Sequence, residues 1–427
     1  MKLLAFMLSR MVTKGRLEIF DHKGNSRSFE GRETGPDVAV RINESLVDFK
    51  LAMKQELWFA EAYMNGNLTL EKGTIFDFLS IILDNHKPPS GPATKPPLWK
   101  RAARKAIGVT KYLPVKSLVK DDVQNYQKGH AFFGRFLDDG MQFSCAYWPE
   151  DVKSLEEAQI AKIRHIAAKL NVAPGDSVLD IGCGWGGMAL YLASVIAARV
   201  VAINLSPEQL EVARLRAKIL GLEDSIEFRL QDYRDVPERF DRVVSVAMLE
   251  HVGRKNLGAY FSVVRDKLNP NGVALIHAIT SKGPPAKPSA FIQRYFDSEG
   301  CAPSLSETFQ AIEQTGLWTL DCEIWRLHYA KTVEQWRARF ENSREDISAE
   351  NGEPFTRLWE FYLAICQCAF GFGQLGVFQI QLGHEKDAVP VTRSYIDENT
   401  NQLKNDETGK MASINASLKQ AINELGM

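Results

Sequence analysis

A glycine-rich turn near the middle of this 427-residue chain constrains its fold more than any other feature. Residues 178–187 read Val-Leu-Asp-Ile-Gly-Cys-Gly-Trp-Gly-Gly, so Asp180 ends an apolar strand and the glycines at 182, 184, 186 and 187 make a tight turn. Glycines at such a turn let the backbone and a bound cofactor approach each other closely, and a helix follows. The pattern therefore predicts a ligand-binding loop after the first strand of an α/β sheet.

The rest of the chain beyond Val172 supports this class of fold, because strand and helix patterns alternate there as in a parallel sheet. The helix that begins at Pro207 has Ser206 as its N-cap and Gln209 at the capping-box position. The predicted strands are 177–181, 199–203, 226–230, 242–246, 273–277 and 320–325, and the predicted helices are 187–198, 207–220 and 332–340.

Residues 1–86 form a separate small α+β domain in this interpretation. Apolar and polar residues alternate over 15–21 and 37–43, as they do in half-buried strands, whereas 51–63 and 75–83 have helical spacing. The first eight residues are apolar apart from Lys2, and an amphipathic helix describes them better than a cleavable signal.

Residues 87–120 form a basic, proline-rich linker and helix. Nine basic residues and no acidic one occur there, and five prolines fall within 87–97. Such a run is either a solvated linker or a surface that docks on anionic lipid, where Trp99 and Tyr112 supply an insertion face. The net charge of the whole chain is −1, so no general attraction to nucleic acid or lipid is expected.

Composition excludes several other classes of protein. Six scattered cysteines without a CxxC pair indicate neither a zinc site nor a disulfide framework, so no metal and a reducing cytoplasm are expected. No stretch reaches the roughly 18 apolar residues that a membrane span needs. Residues 384–427 are a polar tail with one helical stripe, formed by Met411, Ile414, Leu418, Ala421 and Leu425.

Two cofactors fit the glycine turn. The spacing Gly182-x-Gly184-x-x-Gly187 matches the dinucleotide fingerprint of NAD proteins, but the second strand ends in Asn204 rather than in the usual Asp or Glu. Asp180 suits a ligand with an amino group and a sulfonium, which favours S-adenosylmethionine (SAM). The expected cofactor-binding residues are those of the turn and of the next two strand ends: Asp180, Gly182, Cys183, Gly184, Gly186, Asn204, Gln209, Gln231, Asp232 and Tyr233.

A second group of residues is predicted to converge on the mouth of this cleft. Glu250 and His251 follow the fourth strand, and His277 ends the fifth. Each also has a purely structural explanation, as a buried histidine or a helix-capping carboxylate. The aromatic-rich segment 130–148, with Cys145 in its middle, is either core or an added lid helix over the pocket, and Tyr329 lies near the end of a late strand.

Together, several motifs resemble the cyclopropane-fatty-acyl-phospholipid synthase family. They are 143–148 (Phe-Ser-Cys-Ala-Tyr-Trp), the glycine turn, 231–235 (Gln-Asp-Tyr-Arg-Asp), 249–253 (Leu-Glu-His-Val-Gly), 291–295 (Phe-Ile-x-Arg-Tyr) and 328–332 (His-Tyr-Ala-x-Thr). Residues 60–66 resemble the N-terminal domain of the bacterial, phospholipid-acting members. The resemblance covers about residue 50 to Leu382 and implies a Rossmann-like SAM-dependent methyltransferase core with a smaller N-terminal α+β domain.

The resemblance also implies a reaction. The double bond of an unsaturated phospholipid acyl chain attacks the methyl group of SAM, bound bicarbonate removes a proton from the carbocation, and a cyclopropane ring closes. By motif, bicarbonate would be held by Cys145, Glu250, His277, Ile279 and Tyr329. Phe143 and Ser144 would join the cofactor site. Cys366 matches a cysteine proposed as catalytic, but a packed helix position is the favoured interpretation, because this chemistry needs no covalent enzyme intermediate.

The family further implies an organisation and a location. Residues 1–86 would be a lipid-binding or dimerisation domain, 121–383 the catalytic domain with its lid, and 384–427 a tail outside the resemblance. A homodimer bound peripherally to the inner face of the cytoplasmic membrane is expected. His130 and Gly371 depart from the family pattern, which leaves open a methyltransferase that forms a methyl branch or a methylene without closing a ring. A lipid-binding or SAM-sensing protein without catalysis is a third alternative.

Overall fold

The computed structural model describes residues 12–43, 55–85, 129–283, 289–296 and 300–425. The strands are β1 (Lys14–Phe20), β2 (Ser26–Glu30), β3 (Glu33–Ile42), β4 (Leu68–Lys72), β5 (Ser177–Ile181), β6 (Arg199–Asn204), β7 (Ile226–Leu230), β8 (Phe240–Val246), β9 (Leu268–Ser281), β10 (Trp318–Trp325) and β11 (Leu375–Gly383). The helices are α1 (Gln55–Met64), α2 (Ile75–Asp84), α3 (His130–Phe133), α4 (Leu155–Leu170), α5 (Gly187–Ile196), α6 (Pro207–Ile219), α7 (Leu257–Lys267), α8 (Ala290–Tyr295), α9 (Leu305–Glu313), α10 (His328–Asn342), α11 (Arg344–Asn351), α12 (Glu353–Gly371), α13 (Ser394–Asp406) and α14 (Lys410–Leu425).

The chain forms two compact units, and neither is one continuous segment. Among the described residues, the first unit contains 12–43, 55–85, 289–296 and 344–373, and the second contains 129–283, 300–343 and 374–425. The predicted catalytic domain 121–383 therefore differs from the second unit, because α8, α11 and α12 belong to the first unit. The predicted boundaries at 86 and 120 lie outside the described residues. The basic segment and the first eight residues lie outside the described residues, as does the start of the helix predicted over 51–63.

The first unit is a small α+β structure, as its sequence pattern predicts. Its sheet has the order β2-β1-β3-β4, and β1 and β3 are parallel while the other pairs are antiparallel. Helix α2 begins at a capping box in which the side chains and backbone amides of Thr74 and Asp77 pair reciprocally. Phe361 on α12 belongs to the same apolar core as Leu17 of β1 and Phe78 of α2.

The second unit is built on a seven-stranded sheet with the order β10-β11-β9-β8-β5-β6-β7. The strands from β9 to β7 are parallel, and β11 runs antiparallel to both of its neighbours. The chain runs outward from β5 through β6 to β7 and then crosses to β8 on the other side of β5. Ligands in open α/β sheets bind at such a reversal, beyond the carboxyl ends of the strands.

Alternation along β5 explains why both faces of this sheet are covered. Val178 belongs to the core formed with α4, α5 and α6, whereas Leu179 belongs to the core formed with α7 and α9 on the other face. The predicted strand 177–181 is confirmed residue for residue as β5. In the described part of the chain, no helix combines the length and apolarity needed to cross a bilayer.

The structure decides between the two interpretations of the aromatic-rich segment 130–148. It does not form a lid helix, because only α3 is helical and the residues from Gly134 to Ser154 are irregular. Phe132, Phe133 and Phe136 are buried, as the core alternative predicts. Tyr329 lies in the first turn of α10, four residues after β10 ends at Trp325, so the prediction that it lies near the end of a late strand is confirmed.

The tail packs against the second unit through its predicted stripe. Ile414, Leu418 and Ala421 of α14 are buried, and the helix packs against α5 and α6. Glu407, between α13 and α14, accepts two hydrogen bonds from Arg164 at 2.7 and 2.5 Å and one from Tyr191 at 2.5 Å. The stripe is therefore a packing face within the same chain.

Replacing Leu418 with alanine should lower the free energy of unfolding by about 2–5 kcal/mol, because it leaves a cavity under a buried helix. Lys419→Ala is the matched control, since the side chain of Lys419 is 74% exposed. Urea unfolding of the intact chain measures both. Equal urea midpoints for Leu418→Ala and wild type would show that packing of the stripe does not stabilise the chain.

Candidate active site

The glycine turn has the geometry of a ligand-binding loop. Gly182, Gly184 and Gly186 have φ angles of 83°, 55° and 85°, a region that side-chain-bearing residues rarely adopt. A Cβ atom at Gly186 would lie 3.0 Å from the side chains of Ala213 and Phe228, whereas one at Gly184 would meet no described atom within 4 Å. The loop is thus packed on one side and open at Gly184.

Asp180, at the base of the loop, and Lys162 on α4 are buried ionisable groups whose charges influence each other. Both side chains are buried, and Oδ2 of Asp180 has no hydrogen-bond partner among the described residues. Burial raises the pKa of Asp180 to about 7, although the charge of Lys162 opposes this. Burial lowers the pKa of Lys162 to about 8, although Asp138, Cys145 and Asp180 oppose this. An unpaired buried carboxylate favours a cationic ligand group.

Lys162 also fixes the irregular segment that replaces the predicted lid helix. Its Nζ atom donates to Oε1 of Gln142 at 2.7 Å and to Oγ of Ser144 at 2.8 Å. Gln159, one turn earlier on α4, donates to the carbonyl oxygens of the same two residues at 3.1 and 3.0 Å. The ring of Phe143 stacks on Trp336, with 5.1 Å between ring centroids. Residues 142–144 are therefore held by both polar and aromatic contacts.

The sequence prediction missed Lys162, Gln142 and Gln159. A signal existed, because Lys162 and Gln159 occupy the same buried face of α4 as Ala158 and Ile166. Charged and amide side chains are rarely fully buried unless they are paired, so their position on an apolar face indicates a function.

The polar residues at and after the end of the next strand, β6, are hydrogen-bonded to each other and to the glycine loop. Nδ2 of Asn204 donates to Oε1 of Gln209 at 2.7 Å and to the carbonyl of Gly184 at 3.3 Å. Ser206 caps α6 as predicted, but the Gln209 side chain turns to Asn204, so the capping-box alternative for Gln209 is wrong. Asn204 thereby ties β6 to the glycine loop.

The segment after β7 forms a short 3₁₀ turn. Asp232 caps it and pairs with Arg234 at 2.8 Å, which lowers the pKa of that carboxyl. The amide of Gln231 donates to the carbonyl of Asp235 at 2.8 Å. Tyr233 packs edge-on against Tyr260, with ring centroids 5.6 Å apart. The aromatic ring is thus fixed from one side at the strand ends.

The side chain of Glu250 accepts a hydrogen bond from the backbone amide of Ile279 on β9. Oε1 of Glu250 accepts that N–H at 2.6 Å, while Oε2 is buried without a hydrogen-bond partner among the described residues. Burial raises the pKa of Glu250, and the Ile279 amide opposes the shift. Glu250 occupies the Ile279 amide here, so a part of Ile279 in holding a bound anion stays a prediction.

His277 lies level with Val246, the last residue of β8, and pairs across the sheet with Gln379. Nε2 of Gln379 donates to Nδ1 of His277 at 3.2 Å, which leaves the imidazole proton on Nε2. Burial lowers the pKa of His277 well below its usual value, and Lys162 and Lys169 lower it further. The ring of Trp325 packs edge-on against the imidazole at 5.0 Å. His277 is therefore a neutral donor at neutral pH.

The remaining candidates in the second unit are a tyrosine and two cysteines. Cys145 and Tyr329 are buried, and burial raises the pKa of the Cys145 thiol, which disfavours a thiolate. Tyr329 packs edge-on against Trp336 at 5.8 Å, the ring that also stacks on Phe143. Cys183, in the loop, is likewise buried with a raised thiol pKa.

Cys366 lies on α12 of the first unit, so the structure does not place it among the elements that form this site. Burial raises the pKa of its thiol to about 12. A thiol at that pKa is a poor nucleophile, which agrees with the packed-helix interpretation. Across the described ranges, no group of three or more His, Cys, Asp or Glu side chains could hold a metal ion.

Comparison with known proteins gives the family. Residues 115–380 match the family model of mycolic acid cyclopropane synthetase. The chain belongs to this family. The second unit has the fold of SAM-dependent methyltransferases, and the chain is an enzyme of that class.

Individual relatives agree with this assignment. The chain is 40% identical to a "probable fatty acid methyltransferase" of Pseudomonas putida over 263 residues, which are 60% of this chain and 67% of the relative. It is also 40% identical to the cyclopropane-fatty-acyl-phospholipid synthase of Escherichia coli K12 over 257 residues, 60% of this chain and 66% of the relative. The match thus spans about two thirds of each relative.

Among solved structures, a mycolic acid cyclopropane synthase in complex with SAH and CTAB is similar to this chain. The TM-score is 0.57 at 29% identity, and the match covers 61% of this chain and 97% of the other. A cyclopropane synthase from Mycobacterium tuberculosis gives the same four values. The predicted family and fold class are therefore confirmed.

The pKa of Asp180 predicts how SAM binding depends on pH. A cationic ligand prefers the ionised carboxylate, so binding must remove the proton that Asp180 holds below about pH 7. Affinity should therefore rise about eightfold between pH 6 and pH 7.5. Calorimetry at the two pH values measures this.

Asp180→Asn is the matched control, because it keeps the shape but cannot ionise. Its affinity for SAM should be lower than that of the wild type and nearly independent of pH. An equal pH dependence of SAM affinity in both proteins would show that a group other than Asp180 controls it.

Proposed function

We propose that this chain is a cyclopropane-fatty-acyl-phospholipid synthase that adds a methylene from SAM across a cis double bond of an unsaturated phospholipid acyl chain. The observation that carries the proposal is the pair of buried groups at the sheet edge, Glu250 bonded to the Ile279 amide and His277 bonded to Gln379. The 40% identity to the Escherichia coli synthase of that name supports the choice of substrate.

The residues of the glycine loop fit SAM. The unpartnered Oδ2 of Asp180 suits the amino group, and the open side of Gly184 leaves room for the ligand to approach the backbone. Asn204 and Tyr233 stand at the next strand ends, where they would hold the adenosine portion. When bound, SAM would supply the added carbon as the methyl group of its sulfonium.

Glu250 and His277 fit a small oxyanion such as bicarbonate, which would serve as the base. The raised pKa of Glu250 means that the carboxyl keeps a proton to higher pH, and the unpartnered Oε2 is the free position for it. With a proton on Oε2 of Glu250 and one on Nε2 of His277, both groups donate hydrogen bonds. Two neutral donors in a dry site stabilise an anion without placing a full positive charge beside it.

The aromatic residues fit a substrate that develops positive charge during the reaction. Tyr147 stacks on Trp325 with 4.8 Å between centroids, and Trp325 in turn contacts His277. Ring faces attract a cation electrostatically, most strongly where water is excluded. A low-dielectric wall of this kind also suits the hydrocarbon of an acyl chain.

A second candidate is a fatty-acyl methyltransferase that leaves a methyl branch or a methylene without closing a ring. The name of the Pseudomonas putida relative, at the same 40% identity, favours it. Mass spectrometry of lipids from a host that expresses the protein separates the outcomes. A gain of 14 mass units means a ring or a methylene, which NMR then distinguishes, and a gain of 16 means a reduced methyl branch.

Replacing Glu250 or His277 with alanine should lower turnover by about 100-fold or more, because each removes one donor of the proposed base site. SAM affinity should change little, since neither side chain belongs to the glycine loop. Glu250→Gln is the conservative control, because it keeps an acceptor for the Ile279 amide and an N–H donor, and it should retain more activity than Glu250→Ala.

Turnover assays with unsaturated liposomes and calorimetry with SAM measure the two effects separately. If SAM affinity fell in step with activity, the division into a cofactor site and a base site would be wrong. Full activity of the wild type in rigorously bicarbonate-free buffer would show that bicarbonate is not the base.

We further propose peripheral binding to anionic membrane through the basic segment 87–120. Each basic residue near an anionic surface contributes about 1 kcal/mol, so replacing Lys100, Arg101, Arg104 and Lys105 with glutamine should weaken vesicle binding by up to roughly 4 kcal/mol. Higher salt should weaken wild-type binding in the same direction, because it screens the attraction.

Liposome sedimentation with and without anionic lipid tests this proposal. The matched control makes the same change in net charge at exposed basic residues elsewhere, namely Lys218, Lys255, Arg326 and Lys419. Equal binding of the segment variant and the wild type at low salt would make the segment a solvated linker. Equal loss in both variants would show that total charge, not this segment, controls docking.

A further inference from the structure

Arg216 on α6 connects the glycine loop to the tail. It is fully buried, and all three of its nitrogen groups donate hydrogen bonds. Nη1 donates to the carbonyl of Trp185 at 2.7 Å, Nη2 to the carbonyl of Ile414 at 3.1 Å, and Nε to Oγ of Ser417 at 3.3 Å. One guanidinium therefore bridges the loop residue Trp185 and two residues of α14.

A buried cation with these partners is a costly arrangement. Within the part of the chain that the structure describes, the three hydrogen bonds of Arg216 go to neutral oxygen atoms and none goes to a carboxylate. Burial lowers the pKa of the guanidinium to about 10, although the charge of Asp138 opposes this. Helix packing alone does not require a charge here, since an apolar side chain of similar length would fill the space without the desolvation cost.

The contact with Trp185 fixes the orientation of one peptide group in the loop. The carbonyl of Trp185 and the amide of Gly186 belong to the same planar group, and that amide donates to the carbonyl of Cys183 at 2.9 Å. The hydrogen bonds to Arg216 and Cys183 thus fix both the carbonyl and the amide of this peptide group. The flanking residues Gly184 and Gly186 both have positive φ, and glycine adopts several backbone conformations at little cost, so an external contact is needed to select one.

The other half of the bridge comes from a part of the chain that the family model does not cover. The family match ends at residue 380, whereas Ile414 and Ser417 lie on α14. Met411 and Ile414 also line a small cavity with Gln142 and Gly187, so α14 contacts the back of the loop and the segment over it. The tail is therefore positioned to influence the loop directly.

We propose that Arg216 is a positioning residue that uses the tail helix α14 as a fixed support to hold the glycine loop in its cofactor-binding conformation. The tail would thereby set the affinity for SAM without contacting it. This inference rests on SAM being the cofactor of the proposed function. It predicts that breaking the Arg216 bridge weakens SAM binding, whereas loosening the tail elsewhere does not.

The test compares two anchors of the same tail. Arg216→Met removes the bridge while keeping a long apolar side chain, and Glu407→Gln weakens the anchor to Arg164 and Tyr191, which does not involve the loop. Calorimetry should show SAM binding about tenfold weaker for Arg216→Met, close to the lower limit for the loss of a hydrogen bond to a charged group. Glu407→Gln should lower the melting temperature while leaving SAM affinity unchanged.

A milder variant keeps the test decisive if Arg216→Met folds poorly. Ser417→Ala removes the acceptor of Nε on the tail and also the hydrogen bond that Oγ of Ser417 donates to the carbonyl of Ile414 at 2.6 Å. It leaves the bond to Trp185 intact, and it should weaken SAM binding about threefold. At saturating SAM, kcat should stay within about twofold of wild type while KM for SAM rises, because the loop is misplaced only before binding. Hydrogen exchange of residues 182–187 should increase in the Arg216 and Ser417 variants but not in Glu407→Gln.

The outcomes separate this inference from the proposed function. If the melting temperatures fell and SAM affinity stayed equal to wild type in both the Arg216 and Ser417 variants, the bridge would be structural only and the inference would be overturned. If the wild type itself did not bind SAM, the proposed function would fail, and this inference with it.

Discussion

The parallel pairing of β5 with both β6 and β8 is the constraint on which the site depends. Because the three strands run in the same direction, their carboxyl ends open on one edge, where Asp180, Asn204 and the turn containing Glu250 meet. Strand β9 extends this edge and brings His277 level with the end of β8. Residues that lie as many as 97 positions apart in the sequence thus share one face of the fold.

Burial then determines the chemistry of these residues. It raises the pKa of Asp180 and Glu250 and lowers that of Lys162 and His277, so each group is closer to its neutral form than it would be in water. Neutral groups with an open hydrogen-bonding position respond to a charged ligand that enters, because the ligand supplies the missing partner. A cationic ligand group would therefore favour the ionised form of Asp180, whose Oδ2 has no hydrogen-bond partner among the described residues.

Much of the fold and part of the site could be predicted from the sequence. Local signals specify β5, the helix after it and the Ser206 N-cap, because strand periodicity, glycine spacing and capping act over only a few residues. The predicted lid helix is wrong because side-chain contacts fix the segment: Lys162 and Gln159 hold it in an irregular conformation that aromatic composition does not reveal. Glu250 was predicted as a site residue, but its bond to the Ile279 amide was not.

The sequence by itself determined the family, the glycine loop and the residue types at the strand ends, since these depend on short motifs and on the alternation of strands and helices. Only the tertiary structure decided which donor meets which acceptor. Arg216 bonds to Trp185, 31 residues earlier in the sequence, and to Ile414, 198 residues later. No local sequence pattern predicts contacts over such separations. The physical reason is that a hydrogen bond in the interior depends on where packing places two groups, and packing involves the whole unit.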